Sequence, residues 1–220
     1  MSGDVLLAID TATTRVVVGL GRPDGTLIDA TEWPAGYRHG ETLLPAIDEL
    51  LTRNATDRSR LAAVVVGTGP GAFTGLRVGI ATAKGLAHGL GTPIIGISTG
   101  EALLRDMPPA SVLLLPAGPS DRLLVRRGRP ATIVAAGSEP DLEPDETVVA
   151  VDLPDRAPAD DVARGEAARG GLAAALVAAG AERLGKGDVD DLATLVPEYV
   201  TLPRGVSRES GEVAWSHDRP

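Results

Sequence analysis

Gly67-Thr-Gly-Pro-Gly-Ala-Phe-Thr-Gly-Leu-Arg77 separates an uninterrupted apolar run, Leu61–Val66, from a run of helix-forming residues that extends to Gly89. The apolar run is short and rich in valine, the pattern of a strand buried on both faces. A strand, a glycine-rich turn and a helix from about Leu76 to Gly89 therefore follow in order. A second short buried strand, Thr92–Ile97, comes next. Working back toward the N-terminus, Val5–Ile9 and Val16–Leu20 flank the polar turn Asp10-Thr-Ala-Thr-Thr14. Arg22-Pro-Asp-Gly25 is a strong turn signal, and Thr26–Thr31 beyond it reads as a third strand. Between this meander and Leu61, Leu43, Leu44, Ile47, Leu50 and Leu51 recur at helical spacing, with Asp48 and Glu49 facing outward. Pro45 fits if it lies near the first turn, where its missing N–H has no partner to lose. The order β-β-β-α-β-α-β predicts a mixed five-stranded α/β sheet with helical crossovers.

Glycines between a strand and a helix allow backbone N–H groups to approach an anion. A Walker loop needs a Gly-Lys pair, and none is present in this stretch. The dinucleotide pattern G-x-G-x-x-A is formally met by Gly67, Gly69 and Ala72. However, Pro70 interrupts the turn, and Ile94–Ile97 runs into Ser98 and Thr99 rather than into a ribose-binding acid. A rigid turn that packs a strand close to a helix is the competing reading. Gly69, Gly71 and Thr74 remain candidates for phosphate contact, with Asp10 and Thr11 in the first hairpin. An aspartate and hydroxyls there could hold a Mg²⁺-nucleotide, or they could form an Asx/ST turn, which the lack of glycine in that hairpin favours.

The helix after the loop carries two stripes of small residues. Gly75, Gly79, Ala83 and Ala87 form one, and Ala81, Gly85 and Gly89 the other. Each glycine inside a helix costs about 0.5–1 kcal/mol relative to alanine, so close approach from two sides is the expected reason. One side would be the chain's own fold and the other a partner. Arg77, Lys84 and His88 add a local basic edge that suits a phosphate, an acidic partner or simply solvent.

Composition narrows the function. The 220-residue chain has a formal net charge of −9, no cysteine and 2% aromatic residues. A broad nucleic-acid surface and base-stacking platforms are thereby disfavoured. Thiolate metal sites and cysteine nucleophiles are excluded. His39, His88 and His217 lie too far apart for a local zinc motif. Val5–Ile9 follows Met-Ser-Gly-Asp, with no basic segment before it, so it does not read as a signal peptide. No run approaches the roughly 18–20 apolar residues of a membrane span, which points to a soluble cytoplasmic chain. In the second half, strands are expected at 111–115, 122–125, 132–135 and 147–151. A helical stretch over 160–184 follows, broken at Gly170-Gly171.

Ala8-Ile-Asp-Thr-Ala-Thr-Thr14, Arg38-His-Gly-Glu-Thr-Leu-Leu-Pro-Ala-Ile-Asp-Glu-Leu-Leu51 and above all the glycine block through Ala87 resemble the TsaB (YeaZ) family. The resemblance is dense over about residues 4–100 and returns weakly at Leu195-Val-Pro-Glu-Tyr199. At Pro116-Ala-Gly-Pro-Ser-Asp-Arg-Leu123 the sequence departs from the Asp-Ala-Arg-x-x-Glu-Val-Tyr-like segment common in the family. The resemblance implies an actin/Hsp70/sugar-kinase-like (ribonuclease H-like) fold in two small lobes, residues 1–98 and 99–203, with a polar tail at 204–220. It implies a non-catalytic subunit in threonylcarbamoyladenosine modification of tRNA, without a metal of its own. Where a metal-binding His-x-x-x-His would start at His39, position 43 is leucine.

The implied partners are a TsaD-like paralogue in a heterodimer, a TsaE-like ATPase, and a second copy when the chain is alone. Contact with tRNA would run through the complex, and no membrane is involved. ATP or ADP, if bound, belongs to the complex interface. The implied interface residues are Leu43, Leu44, Ile47, Leu50, Leu51, Gly75, Arg77, Gly79, Ile80, Ala83, Lys84 and Ala87. The alternatives weighed beside this are a small kinase of the same fold class and a purely homodimeric regulatory protein.

Overall fold

The computed structural model describes residues 4–35 and 39–200. β1 (Val5–Asp10) pairs antiparallel with β2 (Arg15–Gly21), and β2 pairs antiparallel with β3 (Leu27–Pro34), as the turn signals require. The Gly25 N–H closes the second turn by donating to the Arg22 carbonyl at 2.9 Å. β1 also pairs in parallel with β4 (Leu61–Gly67), and β4 with β5 (Ile94–Ile97), so the sheet order is β3-β2-β1-β4-β5. The crossovers are α1 (His39–Arg53) and α2 (Phe73–Leu90). α1 begins well before Pro45, which therefore lies inside the helix. There its missing N–H forfeits one helical hydrogen bond on an exposed side. Gly91 ends α2 at φ 65°, a left-handed cap that a glycine adopts without strain.

Alternation along the buried strands sorts the core into two faces. Val5, Leu7, Ile9, Val64 and Val66 pack with Leu43, Ile47, Leu50, Ile80 and Ala83 beneath α1 and α2. Leu6, Ala8, Ala63 and Val65 belong to the opposite core. A second sheet, ordered β8-β7-β6-β9, follows from β6 (Ser111–Ala117), β7 (Asp121–Val125), β8 (Thr132–Val134) and β9 (Thr147–Ala150). These are the strands expected in the second half. α3 (Thr99–Leu104), capped by the Ser98 side chain, links the two sheets. At six residues it is too short to show a helical period in the sequence.

The helical stretch divides at Gly170-Gly171 into α4 (Ala159–Gly170) and α5 (Leu172–Gly185). α5 returns to the first sheet, where Val177 fills the space beside Gly21 and Gly180 packs on Val65. Leu113, Leu115 and Val149 of the second sheet share that core with Leu172 and Leu176. A boundary after residue 98 thus marks where the chain passes between sheets, while α5 and residues 188–200 belong spatially with the first. The tail expected from residue 204 lies outside the described residues. Among the described residues, no helix is long and apolar enough to cross a membrane.

Candidate functional site

Asp10 ends β1 on the face of Leu6 and Ala8, opposite Ile9, and its residue is fully buried. Its Oδ2 accepts from the Thr99 hydroxyl at 2.6 Å, and its Oδ1 accepts from the Ala12 N–H at 2.8 Å. The second bond makes the hairpin an Asx turn. Thr99 Oγ1 in turn accepts from the Gly69 N–H at 3.1 Å. Gly69 sits at φ 101°, and a Cβ on Gly67 would fall on the Asp10 carboxyl. Burial pushes the Asp10 carboxyl up to about 6; the hydrogen bonds from Thr99 and Ala12 oppose this, and the Asp152 charge adds to it. The group therefore ties β1, the glycine loop and α3 together away from solvent, with each oxygen already accepting a hydrogen bond.

Thr11 is buried on the other side of the turn, and its hydroxyl donates to the Gly75 carbonyl at 2.7 Å. Gly75 and Gly79 lie directly against Thr11, where any added side chain would collide with it. The Ala72 N–H donates to the Ala12 carbonyl at 2.7 Å and closes the loop onto the hairpin. Asp10, Thr11 and Gly69, set aside above for a nucleotide or phosphate, are thus used in internal packing. Gly71 lines the cleft described next, whereas Thr74 is exposed at the start of α2. The five residues do not gather into one pocket, because the hairpin and the loop bond to each other.

A cleft of about 450 Å³ opens between the sheets, lined by Thr13, Thr14, Gly71, Phe73, Leu115 and Asp152 among others. Asp152 is its one charged lining residue among those described. It has φ 60° and accepts from the Thr14 N–H at 2.6 Å and from the Thr14 hydroxyl. Arg169 holds the same carboxylate at 3.3 Å. The Thr13 hydroxyl donates to the Arg15 carbonyl at 2.9 Å. The carboxylate of the cleft is thus engaged by Thr14 and Arg169, and the Thr13 hydroxyl by a backbone carbonyl.

The outer surface of α1 and α2 has a different character. Leu44 is 52% exposed and Leu90 is 39% exposed. With Pro45, Leu51, Leu61 and Leu86 they edge an apolar groove of about 360 Å³. On α2, Arg77, Ala81, Gly85 and His88 are exposed and Lys84 is half-buried. A Cβ added at Gly85 or Gly89 would meet open space.

Of the residues expected at a partner interface, Leu44, Arg77 and Lys84 are available at this surface. Leu43, Leu50, Gly75, Gly79, Ile80, Ala83 and Ala87 are instead turned inward, and Ile47 and Leu51, almost fully buried, only floor the groove. The correction has a simple cause: a helix that lies on a sheet shows the same apolar period toward its own core as toward a partner. Leu86 and Leu90, four apart, escaped the sequence reading. Their spacing was the available signal, but small residues dominate the pattern around them.

A family model described as TsaD, tRNA N6-adenosine threonylcarbamoyltransferase, matches residues 34–142. The chain is 43% identical over 94 residues to the tRNA threonylcarbamoyladenosine biosynthesis protein TsaB of Escherichia coli, covering 43% of this chain and 40% of that one. It is 39% identical over 106 residues to the protein of the same name in Haemophilus influenzae, covering 48% of this chain and 44% of that one. The matched stretches span less than half the length of these curated relatives. The structure of YeaZ from Pseudomonas aeruginosa superimposes with a TM-score of 0.61 at 24% identity, over 90% of this chain and 100% of that one.

Proposed function

We propose that this chain is a TsaB/YeaZ protein, a non-catalytic subunit of threonylcarbamoyladenosine biosynthesis on tRNA, a reading supported by its 43% and 39% identity to two proteins named TsaB. In this reading it pairs with a TsaD-like threonylcarbamoyl transferase and stabilises it. The observation that carries the proposal is the α1–α2 surface: an apolar groove edged by Leu44, Leu86 and Leu90 beside an open Ala81/Gly85/Gly89 stripe. The residues matched by the TsaD model, 34–142, include both helices. A paralogue would therefore bring a similar pair, and two such pairs can meet across a pseudo-twofold axis as four packed helices. Small residues on the outer stripe allow the axes to approach closely.

A second copy presents the same surface, and in this reading a homodimer forms when the partner is absent. A TsaE-like ATPase joins the heterodimer. In this reading ATP or ADP binds at the subunit boundary rather than on this chain alone. With a net charge of −9, this subunit leaves most of the tRNA contact to the others.

The test uses Ala81→Trp and Gly85→Trp, which put bulk on the exposed stripe without touching the core. Sedimentation with a purified TsaD-like protein should show a heterodimer for the unaltered chain and none for either variant, while each variant alone keeps the far-ultraviolet circular dichroism and cooperative melting of a folded chain. A chain that forms no complex with that protein, or that turns over ATP vigorously by itself, would overturn the reading in favour of the kinase alternative or another role.

A further inference from the structure

The segment 188–200 runs across the open edge of the first sheet at β5 and ends against α2. Its anchors are specific. The Asp190 N–H donates to the Ile94 carbonyl at 2.9 Å, and the Gly96 N–H donates to Asp190 Oδ2 at 2.7 Å. Arg183 reaches the same carboxylate at 3.0 Å and the Gly96 carbonyl at 2.8 Å. Leu195 is buried against Gly96. Further on, the Glu198 N–H donates to the Thr68 carbonyl at 2.8 Å, and the Ser98 hydroxyl donates to Glu198 Oε2 at 3.3 Å. These bonds deliver Tyr199 to the first turn of α2.

There Tyr199 stacks on Phe73 with ring centroids 5.1 Å apart and planes tilted by 36°. The Arg77 guanidinium lies 3.8 Å over the Phe73 ring centroid and donates its Nε–H to the Tyr199 hydroxyl at 3.0 Å. Arg77 is exposed on the outer face of α2, and among the described residues it makes no ion pair. A surface arginine ordinarily samples many rotamers and loses that freedom when it binds. Here a ring face and a hydroxyl hold the side chain before any partner arrives. The bond at Nε leaves the two Nη groups to meet a planar acceptor side by side.

We propose that Tyr199 is a positioning residue for partner association: with Phe73, it presets the Arg77 guanidinium on the α2 face to receive a carboxylate of the partner subunit. The proposal rests on the reading above that this face is the interface with a TsaD-like protein. It goes further by assigning the segment 188–200 a part in building that face.

The test is a double-mutant cycle on the affinity of the full chain for the TsaD-like protein, measured by calorimetry. Tyr199→Ala should weaken binding about tenfold, the scale of one stacked, hydrogen-bonded cation. Tyr199→Phe keeps the ring and loses the hydroxyl, and should weaken it about threefold. In an Arg77→Ala background, Tyr199→Ala should change affinity less than twofold. An equal loss in both backgrounds means that Tyr199 acts by another route, and no loss in the Arg77-containing chain means that it does not act; either result overturns the proposal. Ala81→Trp run alongside separates the two readings. If it abolishes binding while the Tyr199 variants bind normally, only the positioning role falls. If it too binds normally, the α2 face is not the interface and the functional reading fails with it.

Discussion

The Asp10 carboxyl is enclosed by β1, the glycine loop and α3, where ionisation meets little solvent. Its value rises from 3.8 to about 6, chiefly through burial, so between those limits the folded chain holds a proton that the unfolded chain has released. Stability from this group is therefore full below about pH 4 and is lost as pH rises through about 6; two units amount to roughly 3 kcal/mol. Asp10→Asn removes the titration. The stability of the unaltered chain relative to Asp10→Asn should fall by up to roughly 3 kcal/mol between pH 4 and pH 7, read by urea unfolding at both. A difference that stays constant with pH would show that Asp10 ionises alike in both states. The Asx turn was legible in Asp10-Thr-Ala-Thr13, since an aspartate before a polar turn bonds two residues on. The bond to Thr99 was not, because 89 residues separate the two.

α2 shows why a glycine's meaning depends on which side of the helix it occupies. Gly79 meets the Thr11 side chain, and Gly85 meets nothing within 4 Å. Gly79→Ala should therefore destabilise the chain by about 1–3 kcal/mol through overpacking, and Gly79→Leu should disrupt the fold rather than only the interface. Gly85→Ala should instead raise stability by about 0.5–1 kcal/mol, since it restores helix propensity at an open position. Chemical denaturation of the two alanine variants checks both signs at once. The two small-residue stripes were readable from spacing alone. Which stripe was inner and which outer was not, because both share the same helical period.

At the scale of the molecule, Asp152 joins the first hairpin to the end of the second sheet and to α4 through Thr14 and Arg169. Its carboxylate is 2% exposed, and hydrogen bonds to charged groups are worth about 1.5–3 kcal/mol each. Asp152→Ala should lower stability by about 2–4 kcal/mol, and separate fluorescence and circular-dichroism unfolding curves should cease to coincide as the two sheets uncouple. Curves that remain superimposed with little loss would show that α5 alone couples the sheets. By itself the sequence determined the order of the strands and of the longer helices, the meander, the glycine loop and the break at Gly170-Gly171, because these follow from local turn chemistry and from periods of two and 3.6 residues. Only the tertiary structure decided that Leu43, Leu50 and Gly79 face inward while Leu44, Leu90 and Gly85 face outward. Only it closed Asp10 away from the cleft, returned α5 to the first sheet and set Tyr199 against Arg77. Those outcomes depend on contacts between residues far apart in the chain, where periodicity carries no information about what lies on the other side.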